Sequence, residues 1–247
     1  MQKTMMIVVV VAILCFGTVS ALRKGGTKSP RPKPLSATLE DLTQATYALD
    51  WNRIAAEVQK DFDPDVLNKH DGQLTDRTPL HVAAAVGRTD IVTLLLDHGV
   101  KVDLRMAEHT YGEIISGTPL FYAVSGKQIE TARLLLERGA NANAVDMKFQ
   151  TTPLIDAIGQ GDIDMAKLLI EHGADVNFKN VSLQHALQGA LSIKRLDILN
   201  LLLAKGARPT AEDIWQANEF DKALARRLLQ KADPVERLAA NAGLAHK

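Results

Sequence analysis

One segment recurs four times in the middle of this 247-residue chain, and each copy closes on three large aliphatic residues, two further residues and a glycine. The closings run Leu94-Leu95-Leu96 to Gly99, Leu134-Leu135-Leu136 to Gly139, Leu168-Leu169-Ile170 to Gly173 and Leu201-Leu202-Leu203 to Gly206; the glycines stand 40, 34 and 33 residues apart. A period this short constrains the chain to a stacked solenoid, in which each unit buries its apolar face against the next instead of sharing one central core.

Twenty-one residues before each glycine lies a helix start: Thr78-Pro79-Leu80-His81, Thr118-Pro119-Leu120-Phe121, Thr152-Pro153-Leu154-Ile155 and, decayed, His185-Ala186-Leu187-Gln188. A threonine hydroxyl caps free N–H groups, and proline at the first helical position gives up an N–H that would be unpaired anyway. Small residues follow, Ala83-Ala84, Ala123 and Ala157, which lets neighbouring helices approach closely. Gly87 and Gly161 mark a break, and an acidic residue then opens a second helix at Asp90, Asp164 and Asp197, where it complements the positive helix end. The closing glycine supplies the left-handed turn.

The Thr-Pro-Leu-His opening, the mid-repeat glycine and the Leu-Leu-Leu-x-x-Gly ending, clearest in Leu168 to Asn177, resemble ankyrin repeats over residues 73–209. The resemblance implies an all-α solenoid of paired antiparallel helices with hairpin-loop fingers, here four clear repeats between divergent caps at 37–72 and 210–247. Repeat two departs from it with Phe121 for the histidine and its glycine moved to Gly126, and repeat four keeps neither threonine nor proline. In the N-terminal cap Leu42, Ala45, Leu49, Ile54, Ala55 and Val58 form one helical stripe, with Trp51 sealing the end. In the C-terminal cap Ile214, Trp215, Ala217, Leu224, Leu228 and Leu229 recur at helical spacing, and Asp233-Pro234-Val235-Glu236 opens a last short helix.

Before the repeats, Lys3 precedes an apolar run from Met5 to Phe16 that ends in Val19-Ser20-Ala21, the pattern of a signal peptide of residues 1–21. The rival reading is an uncleaved anchor over 5–22, supported by Arg23, Lys24, Lys28, Arg31 and Lys33 after the run. Residues 22–36 read as a disordered basic leader. The expected location is periplasmic or secreted, with membrane contact only through the N-terminal segment. Cleavage after Ala21 would remove Cys15, the chain's one cysteine, and leave no disulfide, thiol nucleophile or cysteine-based zinc site.

Six of the 29 basic residues lie before Leu35 and all 29 acidic ones after it, which leaves the body at about −6 and argues against nucleic acid as a partner. The seven histidines fit structural slots: His81 bonds to a neighbouring turn, as the resemblance implies, and His98 and His172 precede the closing glycines. No His-x3-His spacing, phosphate-binding loop or nucleophile elbow occurs, and neither a catalytic set, a metal site nor a cofactor is expected. Asn180-Val181-Ser182 is a glycosylation sequon.

The resemblance implies a binding module that acts through a concave groove and its fingers. The groove positions carried over are Arg77 and Gln184 before the helix starts, and Val86, Ser125 and Gln160 at the ends of the first helices. The 40-residue spacing adds 7 residues between Asp103 and Thr118 and predicts a longer first finger carrying Tyr111, Ile114 and Ile115, with Phe149 on the next. Together these nine residues are the candidate protein-binding surface of a monomeric scaffold whose partner is another protein, with an inhibitory or immunity-like role as the finer expectation. The alternative is an enzyme or small-molecule binder with an unrecognised site in the array.

Overall fold

The computed structural model describes residues 42–46, 48–60, 63–64, 67, 78–110, 113–146, 150–180 and 185–242, with the backbone alone over 106–110 and 113–116. Helix α1 (Trp51–Val58) is followed by the pairs α2 (Pro79–Val86) and α3 (Thr89–Asp97), α4 (Pro119–Ser125) and α5 (Ile129–Glu137), α6 (Pro153–Gly159) and α7 (Ile163–Glu171), and α8 (Ala186–Ser192) and α9 (Leu196–Ala204). Then come α10 (Ala211–Phe220), α11 (Lys222–Lys231) and α12 (Pro234–Asn241). First helices pack on first helices to form an inner layer, α2 to α10, and second helices form an outer layer, α3 to α9, which α1 extends. The signal or anchor segment and the leader lie outside the described residues; among these, no helix is long and apolar enough to cross a membrane.

Each closing glycine adopts the left-handed conformation, with φ of 88° at Gly99, 87° at Gly139, 87° at Gly173 and 89° at Gly206. The next residue donates back to the middle leucine of the triplet, as in Ala140 N to Leu135 O at 2.9 Å and Ala174 N to Leu169 O at 3.0 Å, satisfying a carbonyl that the ending helix leaves free. The middle leucines Leu95, Leu135, Leu169 and Leu202 are fully buried, and each triplet therefore serves both the turn and the core.

The helix starts vary more. Thr118 and Thr152 accept from Phe121 N and Ile155 N. Thr78 makes no such bond; its hydroxyl goes to His81 instead. Repeat four starts at the aligned place, Ala186, with His185 extended at φ −146° and making no capping bond, because stacking between Leu187 and its neighbours replaces the missing signals.

The mid-repeat glycines divide in two. Gly87 and Gly161 take the left-handed turn at φ 80° and 68°, whereas in repeats two and four Lys127 and Lys194 take it at 57° and 54°. Gly126, the shifted mid-repeat glycine of repeat two, has φ −80° and does not make that turn; it is needed because a Cβ there would clash with the Ala85 carbonyl oxygen of the preceding repeat.

Leu49 leaves the N-terminal stripe, since the chain turns there at φ 53° to start α1 afresh with Asp50 as its cap. Trp51 is half-buried beneath the Arg88 guanidinium, 5.1 Å from its ring centre. Trp215 is 42% exposed, while Ile214, Ala217, Leu224 and Leu228 are buried.

The long finger is an antiparallel hairpin of β1 (Met106–Thr110) and β2 (Glu113–Gly117), with Thr110 opposite Glu113 across residues 111 and 112. The seven added residues thus lengthen two strands. Successive fingers are tied at their bases by one position: Asn143 donates to Gly173 O at 2.9 Å and accepts from Asp175 N at 2.7 Å, and Asn177 repeats this with Gly206 O and Arg208 N. Asp103 holds the slot in repeat one and accepts from Asn141 N. The corresponding residue after Gly206 is Thr210, which at once caps α10, and the last unit has no finger.

Candidate functional site

The ends of α4 and α6 bring two of the expected groove residues together on a third. Ser125 Oγ donates to Asp156 Oδ2 at 2.8 Å, and Gln160 Nε2 donates to the same oxygen at 2.9 Å and to Val124 O at 3.3 Å. The helical spacing of Asp156 and Gln160 puts both on one face of the sixth helix and its cap, and the stacking period sets Ser125 beside them. Burial holds the Asp156 carboxyl above its ordinary range; the two hydrogen bonds oppose that rise, and the charge of Asp146 adds to it. A polar row continues along the array, with Gln188 Nε2 3.4 Å from Glu212 Oε1 and Gln216 Nε2 3.3 Å from Ser192 Oγ.

Of the other expected residues, Val86 is 38% exposed at the end of α2. Ile114 and Ile115 lie on β2, opposite His109 and Glu108. Arg77, Tyr111, Phe149 and Gln184 lie outside the described residues. Sequence reasoning did not place Asp156 in the groove, although its spacing of four residues before Gln160 was the signal. Nor did it single out Phe121 and Ile155. The slot three residues after the helix cap holds His81 buried, but Phe121 and Ile155 only half-buried.

His81 shows what that slot does structurally. Its Nε2 lies 2.9 Å from the Leu104 carbonyl, which can only accept, and Nδ1 therefore accepts from the Thr78 hydroxyl at 2.6 Å. Its ring also meets the edge of Tyr122 in the next repeat, centre to centre 5.3 Å. Burial drives the imidazole pKa down to about 4, and His81 is neutral at pH 7.

A second recess, of about 250 Å³, opens at the C-terminal end where the missing finger leaves the flank of the previous one uncovered. Asn177, Lys179, His185, Arg208, Asp233 and Glu236 line it. Glu236 Oε2 accepts from Ala211 N at 2.7 Å and so anchors α12 to the start of α10. His185 Nε2 lies 3.4 Å from Asp213 Oδ2. Burial lowers the histidine and raises the acid, outweighing the attraction between them. Among the described residues no three His, Cys, Asp or Glu side chains gather as metal ligands. Asn180 of the sequon is 7% exposed, a poor position for a glycan.

Stacked helix pairs, left-handed glycine closings, bonded finger bases and a polar groove define a repeat scaffold of the kind that binds other proteins. The chain matches the family model for ankyrin repeats (3 copies) over residues 47–146 and 142–213, and it belongs to the ankyrin-repeat family. It is also similar to the rabbit (Oryctolagus cuniculus) protein "Ankyrin repeat, SAM and basic leucine zipper domain-containing protein 1", 44% identical over 61 residues. That stretch covers 25% of this chain and 11% of the relative.

Proposed function

We propose that this chain is a non-catalytic scaffold that binds one partner protein through the groove beside α4 and α6 and the fingers above it, and that it acts by inhibiting or shielding that partner in the manner of an immunity protein. The observation that carries the reading is that Phe121 and Ile155 are only half-buried in a slot that repeat one fills with a fully buried histidine. Apolar side chains left open at the edge of a polar groove are what the core of an interface presents. The hairpin adds reach on the same side of the helix starts, with Ile114 and Ile115 on its second strand. Location in the envelope or outside the cell belongs to the same proposal and rests on the apolar run ending at Ala21.

Affinity capture with the tagged chain from its host tests the reading, followed by the same capture with Ile114, Ile115 and Phe149 replaced by serine. A stoichiometric partner that is lost in the variant, with the thermal midpoint within a few degrees of the parent, is the expected result. Capture unchanged by the triple substitution would remove the finger from the interface, and a chain that carries a bound metabolite and no protein would favour the small-molecule alternative. N-terminal sequencing of the native protein tests export: a chain beginning at Leu22 is expected, and Met1 found in the membrane fraction would establish the anchor instead.

A further inference from the structure

Asp156 lies one turn before the cap of α6, and the described groove residues at the ends of α2, α4, α6 and α8, namely Val86, Ser125, Gln160, Ser192 and Ile193, are all uncharged. Three exposed carboxylates on the outer helices have arginines in reach: Asp90 has Arg88 at 2.6 Å, Asp97 has Arg138 at 2.7 Å and Asp197 has Arg195 at 2.7 Å. Asp156 forms no ion pair among the described residues. Both hydrogen bonds that reach it come from neutral groups, Ser125 and Gln160, and both fall on Oδ2, which leaves Oδ1 without a partner among the described residues. Nearby Asp146, itself buried, brings a second negative charge. A partly desolvated carboxylate beside a like charge is costly to keep ionised, and a cation brought against it recovers that cost on binding.

We infer that the segment received by this groove carries a lysine or arginine side chain set against Asp156, with Oδ1 as its ion-pair acceptor. This rests on the groove being the binding surface and goes further by naming the chemistry of what it takes. Residues 73–209 carry 15 acidic and 14 basic side chains, so the attraction for a basic segment is local to Asp156 and Asp146 rather than a field of the whole array. Ser125 and Gln160 hold the carboxylate still from two neighbouring helices, and Phe121 and Ile155 stand ready for apolar residues flanking the basic one.

The test is selection of a random peptide library displayed on phage against the immobilised full-length chain and against Asp156→Asn, at neutral pH. The variant keeps an acceptor for Ser125 and Gln160 and removes an unfavourable charge, and its fold is checked by its thermal midpoint. Expected is a lysine or arginine fixed at one place in the sequences selected by the parent, absent from those selected by the variant, with the best peptide binding the variant about tenfold or more weakly. A carboxyl carbon titration then gives a readout that a merely structural role would not move: the Asp156 pKa falls when the peptide is added. Peptides that bind both proteins equally, or that carry no basic residue yet compete at Phe121→Ser and Ile155→Ser, overturn this inference and leave the groove reading standing. No enrichment on either protein overturns both.

Discussion

Ser125 on α4 and Asp156 on α6 join two successive repeats by a 2.8 Å hydrogen bond, and the groove thereby acquires a fixed, partly buried acid that neither helix could hold alone. The bond crosses a repeat boundary. The same boundary is crossed at the finger bases by Asn143 and in the core by Leu135, and the energetics of the array can be tested at each of these layers.

Stability should fall with acid because of His81. Its pKa is about 6.5 when unfolded and about 4 in the fold, so the unfolded chain takes up the proton first. The contribution is fully present above pH 6.5 and is lost as pH falls through 4, amounting to about 3 kcal/mol. Denaturant midpoints measured across that range should drop more steeply for the parent than for His81→Gln, which can bond Leu104 but does not titrate; equal slopes would show that His81 is not the sensor.

Two glycines near the groove should respond oppositely to alanine. Gly126→Ala drives a methyl into the Ala85 carbonyl and should destabilise by about 1–3 kcal/mol. Gly159→Ala meets nothing within 4 Å at the end of α6 and should be neutral or stabilise by up to about 1 kcal/mol. Urea unfolding of both variants distinguishes close approach from turn formation as the reason for Gly126.

Asn143→Ala removes both bonds from one finger base to the next and should cost about 1–2 kcal/mol. The loss should appear in hydrogen exchange as faster exchange at Asp175 N, whose acceptor is gone, with the amides of α7 little changed.

Leu135→Ala and Leu169→Ala empty fully buried sites between helix pairs, and each should cost about 2–5 kcal/mol. Repeat four, whose first helix lacks both the proline and a capping bond, should open before the three preceding repeats. Protection of Leu201 to Leu203 exceeding that of Leu134 to Leu136 in native-state hydrogen exchange would contradict this.

The helix pairs, their glycine closings and the long finger were legible in the chain because each depends on residues within a few positions of one another. Leu94-Leu95-Leu96 to Gly99 closes a helix through bonds spanning at most five residues, and Thr-Pro starts one through bonds spanning three. The register of repeats followed from their spacing alone, and even His185 and Ala186 begin a helix where the period puts it.

What only the tertiary structure decided lies between elements whose partners are some 20 to 40 residues apart. The need for Gly126 comes from Ala85, the place of Asp156 comes from Ser125, and the tautomer of His81 comes from Leu104. Local propensity says nothing about such pairs, because it is stacking that sets how closely two helices approach and which polar groups lose water between them. The groove belongs to this second kind. Its frame was written in the periodic residues, but its chemistry, an acid held by Ser125 and Gln160 with no cation among the described residues, came into being only when the repeats were stacked.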